Sequence, residues 1–218
     1  MMLWEYVIPF GDSTWTLPLA ASIAIVSLLG GYRARALHWL ACFGIGLTVI
    51  IAGKLAFDLG GWCLPAAGFY SISGHAMQTT AIYPLLFMVI GAVFGERAVR
   101  WGFYLGLAAA LLMAVTLVAG NYHTLSETVV GMMVGMLVVC SYMRWQPSLR
   151  PVHLSLLVVL PLSVALIFDM HDTVNPTKAA LWQRAAHWMG ATEQYTRQIY
   201  TDPVSGMRRI SVRLRQIL

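Results

Sequence analysis

The sequence predicts an all-α, polytopic membrane helix bundle of about six transmembrane helices followed by a C-terminal extramembrane tail. Three observations predict it. The 218 residues are 59% hydrophobic and only 11% charged, with a mean hydropathy of +0.71, whereas soluble domains carry about a quarter charged residues. Long uncharged runs recur at bilayer-spanning length. Basic residues cluster in alternate short loops. A soluble enzyme, a disordered chain and a disulfide scaffold are excluded. Cys42 and Cys140 lie inside apolar runs and Cys63 far from both, so neither a disulfide framework nor a zinc cluster is expected.

Taken in order, the apolar runs are 15–32, 37–57, 76–95, 101–119, 124–143 and 152–168, each about the 17 to 21 residues that a spanning helix needs. Hydrocarbon offers backbone groups no water, so the runs must be helices, with Pro84 and Pro161 tolerated inside them. No Lys or Arg precedes Arg33, and Glu5 and Asp12 make the N-terminus acidic, so no secretory n-region is expected. Arg33 and Arg35, Arg97 and Arg100, and Arg144 and Arg150 follow the first, third and fifth runs, which places those loops in the cytoplasm. Strict alternation then puts the N-terminus, residues 58–75, the turn at 120–123 and the tail on the other side.

The chain divides into a bundle, 1–170, and a basic, partly amphipathic tail, 171–218, which holds seven of the fourteen Lys and Arg. At 178–189, Leu181, Trp182, Ala185, Trp188 and Met189 recur at helical spacing, suggesting a helix on the membrane surface. For the last stretch two readings stand. Met207, Ile210, Leu214 and Ile217 fit a helix, whereas Ile210, Val212 and Leu214 alternating with arginines fit a strand.

Ionisable groups beside spans are costly to bury and so are functional candidates. Lys54, His75, His123 and Glu127 all fall at the outer ends of their spans, where a bundle could gather them into one outward-facing pocket. His123 and Glu127 share a helix face at i, i+4, so the carboxylate can fix the imidazole tautomer; a buried polar pair that sets packing is the other reading. Ser73-Gly74-His75 opens the third run, where unpaired backbone N–H groups favour an anion. There the alternative is a Ser cap, a Gly turn and a wet His. For Lys54 it is a snorkelling anchor.

In chain order, Lys54, Ser73-Gly74-His75 and His123 with an acid four residues on resemble the type 2 phosphatidic acid phosphatase family, which shares its core with vanadium haloperoxidases. The resemblance runs from about Lys54 to Gly131, and Gly11-Asp12-Ser13 is also similar to the family. It implies that Lys54, Ser73 and Gly74 bind phosphate, that His75 is the general acid, that His123 attacks phosphorus to form a phosphohistidine, and that Glu127 orients His123. The chain is a divergent member in this reading. Gly61 and Trp62 stand where the family has Arg-Pro, Ile72 where it has Pro, Thr116 and Leu117 where it has Ser-Arg, and Glu127 where it has Asp. Two guanidinium forks are therefore missing, and Arg184 or Arg197 of the tail are possible replacement cations if the tail folds back; the alternative is that the tail bases bind anionic lipid headgroups.

The expectation is a metal-independent lipid phosphate phosphatase in a bacterial inner membrane with its site facing the non-cytoplasmic side. Its partners are a lipid-phosphate substrate and membrane lipids, with no cofactor, no metal and no nucleic acid. Two rivals are a catalytically degenerate lipid-phosphate-binding protein, serving as receptor, transport component or partner subunit, and a scaffold or transporter whose motif is accidental. The pattern leaves the oligomeric state open.

Overall fold

A computed structural model describes residues 4–145, 176–202 and 208–216. The sixth apolar run, 152–168, lies outside the described residues. A short helix α1 (Trp4–Val7) and a 3-10 turn (Ile8–Gly11) lead into α2 (Ser13–Leu29). Asp12 caps α2 by accepting the Thr14 N–H at 2.9 Å. Helix α3 (Arg33–Asp58) ends in a loop, and Ser73 starts α4 (Gly74–Gly91) by accepting the Ala76 N–H at 3.3 Å. Helix α5 (Glu96–Ala119) and α6 (Leu125–Trp145) are joined by a tight turn in which Asn121 has a φ of 60°.

Among the described residues three helices are long and apolar enough to cross a membrane, α3, α5 and the 125–144 part of α6, while α2 is a shorter apolar helix. The third run stops at Gly91 rather than residue 95, because 92–94 turn and Gly95 adopts a φ of 104°. Pro84 stays within α4, as does Pro18 within α2.

Helix α4 is the centre of the bundle and shows how the sequence permits it. A Cβ at Gly131 or Gly135 of α6 would lie 2.5 Å from the Ser73 or Met77 carbonyl of α4, and Gly102 and Gly106 of α5 meet the Phe87 and Pro84 backbone equally closely. These glycines let three helix backbones approach as spanning helices do. Trp39, Ile23, Met77, Ile82, Leu85 and Val139, drawn from α2, α3, α4 and α6, fill the core. Leu37, Ile45, Leu105, Leu111, Val115, Met133 and Leu137 instead face outward, the surface that lipid would cover.

The tail carries the expected helix and one of the two forms left open for its last stretch. Helix α7 (176–189) is present, but it docks on the bundle through Lys178, Trp182 and Ala186, spaced i, i+4, i+8, while Leu181, Trp188 and Met189 are exposed. The open choice for the last stretch resolves as a strand. β1 (Glu193–Thr201) and β2 (Arg208–Gln216) pair antiparallel, with Arg197 opposite Val212. The ladder satisfies backbone groups that a second helix at 208–216 would have had to satisfy alone.

Candidate active site

The end of α3 and the starts of α4 and α6 converge beneath α7 and β1. Glu127, in the first turn of α6, has no exposed side-chain surface. One carboxylate oxygen, Oε1, accepts the backbone N–H groups of Tyr70 at 3.2 Å and Ser71 at 3.1 Å. The other, Oε2, accepts the Thr124 N–H at 3.2 Å and lies 2.8 Å from His123 Nδ1. Arg197 of β1 donates to the same Oε2 through Nη2 and to the Tyr122 carbonyl through Nη1 at 3.3 Å.

Arg197 Nη2 also sits 2.8 Å from His123 Nδ1. A ring nitrogen offers one in-plane position, holding a proton or a lone pair, and guanidinium can only donate. Oε2 has lone pairs enough for both neighbours, so the consistent assignment is Nδ1–H donating to Glu127 beside a parallel donation from Arg197. His123 Nε2 is then unprotonated. Burial holds the His123 conjugate acid below the usual imidazole range; the Glu127 hydrogen bond opposes this and the Arg197 charge reinforces it.

His75, in the first turn of α4, faces His123 with ring centroids 6.5 Å apart. Its other neighbour is Gly11, where a Cβ would stand 2.9 Å from His75 Cδ2, so the Gly-Asp-Ser segment can lie against the imidazole only because residue 11 has no side chain. Asp12 pairs with Lys178 at 3.5 Å. Burial raises the Asp12 carboxyl, but the Thr14 hydrogen bonds and the Lys178 charge outweigh it and hold the group below its usual range.

A cavity of about 380 Å³ opens beside these groups, its lining combining Asp12, Lys54, Gly74, His75 and Lys178 with the aliphatic Leu17, Ile50, Ile51 and Leu181. The Lys54 Cε is 4.0 Å from the place of a Gly74 Cβ, so the ammonium stem reaches over the start of α4. A second cavity of about 430 Å³ shares Lys54, Lys178 and Trp182 and continues toward Asp58, Gln183 and Gln194.

Lys54, Ser73, Gly74, His75, His123, Glu127 and Arg197 thus gather at one end of the bundle. Arg184 does not. It is exposed on the far side of α7, because the helix docks through Lys178, Trp182 and Ala186, and it lines neither cavity. The sequence does not single out Lys178, nor Asp58, whose Oδ2 accepts the Trp182 Nε1–H at 2.8 Å. The Trp-to-Lys spacing of four was the available signal for the first; nothing local marked the second.

Fold and site together define a helical membrane protein carrying a buried His–Glu dyad opposite a second histidine. Residues 56–151 match the PAP2 superfamily, and the resemblance read from the sequence is thereby borne out. A protein of Klebsiella pneumoniae described as "Uncharacterized 22.5 kDa protein in cps region" is 28% identical over 189 residues, covering 84% of this chain and 90% of that one. No solved structure matches the chain. The superfamily match supports a phosphatase-type hydrolase acting on phosphate esters. It takes in His75, His123 and Glu127 but ends before Arg197.

Proposed function

We propose that the protein is a membrane-embedded lipid phosphatase that hydrolyses a phosphomonoester or pyrophosphate of a lipid through a phosphohistidine, without a metal. The observation that carries this reading is the Glu127–His123–His75 array beside a cavity whose lining combines Lys54, His75 and Lys178 with aliphatic side chains. His123 Nε2 attacks phosphorus as the phosphorus–oxygen bond to the lipid breaks, and His75 gives its proton to the leaving oxygen. Neutral His75 then takes a proton from water as that water attacks phosphorus, breaking the phosphorus–nitrogen bond and releasing phosphate. Lys54, Lys178, the Ser73 hydroxyl and the Gly74 backbone hold the phosphoryl oxygens, where charge develops. The aliphatic part of the lining suits a substrate whose chain stays in the bilayer. The site faces the non-cytoplasmic side of a bacterial inner membrane in this reading, since the basic loops lie at the opposite end of the bundle.

A second reading, a protein that binds lipid phosphate without cleaving it, is favoured by Gly61 and Leu117 at positions where the family's arginines would stand. One assay separates them: phosphate release by the full-length protein in detergent, with a chelator, across lipid monophosphates and pyrophosphates. Release that disappears in His123→Ala is the expected result. Binding without release by a folded protein would favour the second reading.

A further inference from the structure

Strand β1 alternates as a half-covered strand must, with Tyr195, Arg197 and Ile199 partly buried and Thr196, Gln198 and Tyr200 exposed. Its inward residues reach two loops that are distant in sequence. The Tyr195 ring occupies the space over Gly61, where a Cβ would stand 2.9 Å from its Cζ, and lies 6.4 Å from the Phe57 ring. Two residues along, Arg197 reaches the α5–α6 turn, and Thr201 accepts the Asn121 side-chain N–H at 3.1 Å. The period of two that sets Tyr195 on Gly61 also directs Arg197 at the dyad.

We propose that Arg197 is a positioning residue, carried in by the C-terminal hairpin, that locks the Glu127 carboxylate against His123 Nδ1 and so keeps Nε2 free for attack. The inference rests on the phosphohistidine reading above. It assigns Arg197 to the dyad rather than to the substrate phosphate. The guanidinium spends Nη2 on Glu127 and Nη1 on Tyr122, the residue before His123, so it fixes the carboxylate and the backbone that bears the imidazole in one planar fork. Its buried Nε has no hydrogen-bond partner among the described residues, so the two Nη contacts define its pose. A lysine could not make both contacts, having one point charge where Arg has a fork. Phosphate cations are then Lys54 and Lys178, which line both cavities.

The test compares wild type, Arg197→Ala and Arg197→Lys as full-length proteins in detergent, on a short-chain phosphatidate. Expected is a loss in kcat of about 10²-fold or more in both variants with little change in KM, and partial recovery of Arg197→Ala, but not of an Arg197→Ala/Glu127→Gln double variant, by millimolar guanidinium. Gly61→Val, which displaces Tyr195 without touching the guanidinium, is expected to lose kcat in the same way. The tautomer is read separately by nitrogen NMR of histidine-labelled protein, which needs no turnover: Nδ1–H for His123 in wild type and a mixture of tautomers in Arg197→Ala. Unchanged kcat in Arg197→Ala, a loss that guanidinium does not recover, or an unchanged tautomer would each overturn the proposal. A protein that releases no phosphate from any lipid monophosphate or pyrophosphate of the panel above, yet shows the tautomer change between wild type and Arg197→Ala, would refute the phosphatase reading and leave the positioning role standing.

Discussion

In the proposed mechanism His123 is the nucleophile, and three constraints meet on its ring: Glu127 on Nδ1, Arg197 beside it, and burial around it. The nucleophile must be neutral. Burial and the Arg197 charge favour the neutral ring while Glu127 opposes them, and the net effect is an imidazolium that loses its proton more readily than an ordinary one, with its pKa below the usual 6.5. Protonation that would disable Nε2 therefore sets in only at lower pH, and activity is present above that point and lost as pH falls through it. The acid limb of the kcat/KM profile is expected below pH 6.5 in wild type and at higher pH in Arg197→Ala, where one of the lowering charges is gone. A limb unmoved by that substitution would contradict the assignment. His123 and Glu127 were legible as a pair from their spacing of four, and Arg197 only from a count of missing positive charge. The Tyr70 and Ser71 N–H groups that hold Oε1 were not legible, since every residue has such a group and only the loop's path decides where it points.

At the scale of elements, α4 brings the site together by being the helix that others pack against. Its first turn holds Ser73, Gly74 and His75, and its next turns receive Gly131 and Gly135 of α6. Gly135→Leu is expected to destabilise the bundle by about 1–3 kcal/mol through overpacking, whereas Gly44→Leu, with nothing within 4 Å of its Cβ position, should stay within about 0.5 kcal/mol. Thermal unfolding in detergent checks both, and equal effects would contradict the packing account. The long spans were readable because hydropathy and length report directly on bilayer crossing. The hairpin was half readable: 208–216 suits both a period of two and one of 3.6 when its apolar residues are sparse, and β1, rich in polar residues on its outer face, showed neither. For α7 the helical period was legible but the face that meets the protein was not: the helix turns Trp182 and Ala186 to the bundle while leaving Trp188 outside.

Across the whole molecule the site is assembled from Gly11 to Arg197, so no fragment contains it. The family match ends at residue 151, yet Lys178 and Arg197 beyond it stand over the cavity and the dyad. A bundle that has Gly and Leu at the positions of the family's arginines thus receives cations from a segment that comes last in the chain. The central claim is that phosphorus is transferred to His123. It is tested most directly by quenching the full-length protein in alkali during turnover of a lipid phosphate and mapping the acid-labile phosphate by mass spectrometry. The account predicts phosphate on the peptide containing His123, absent in His123→Gln. Full turnover by His123→Gln, or phosphate trapped on another residue, would contradict it.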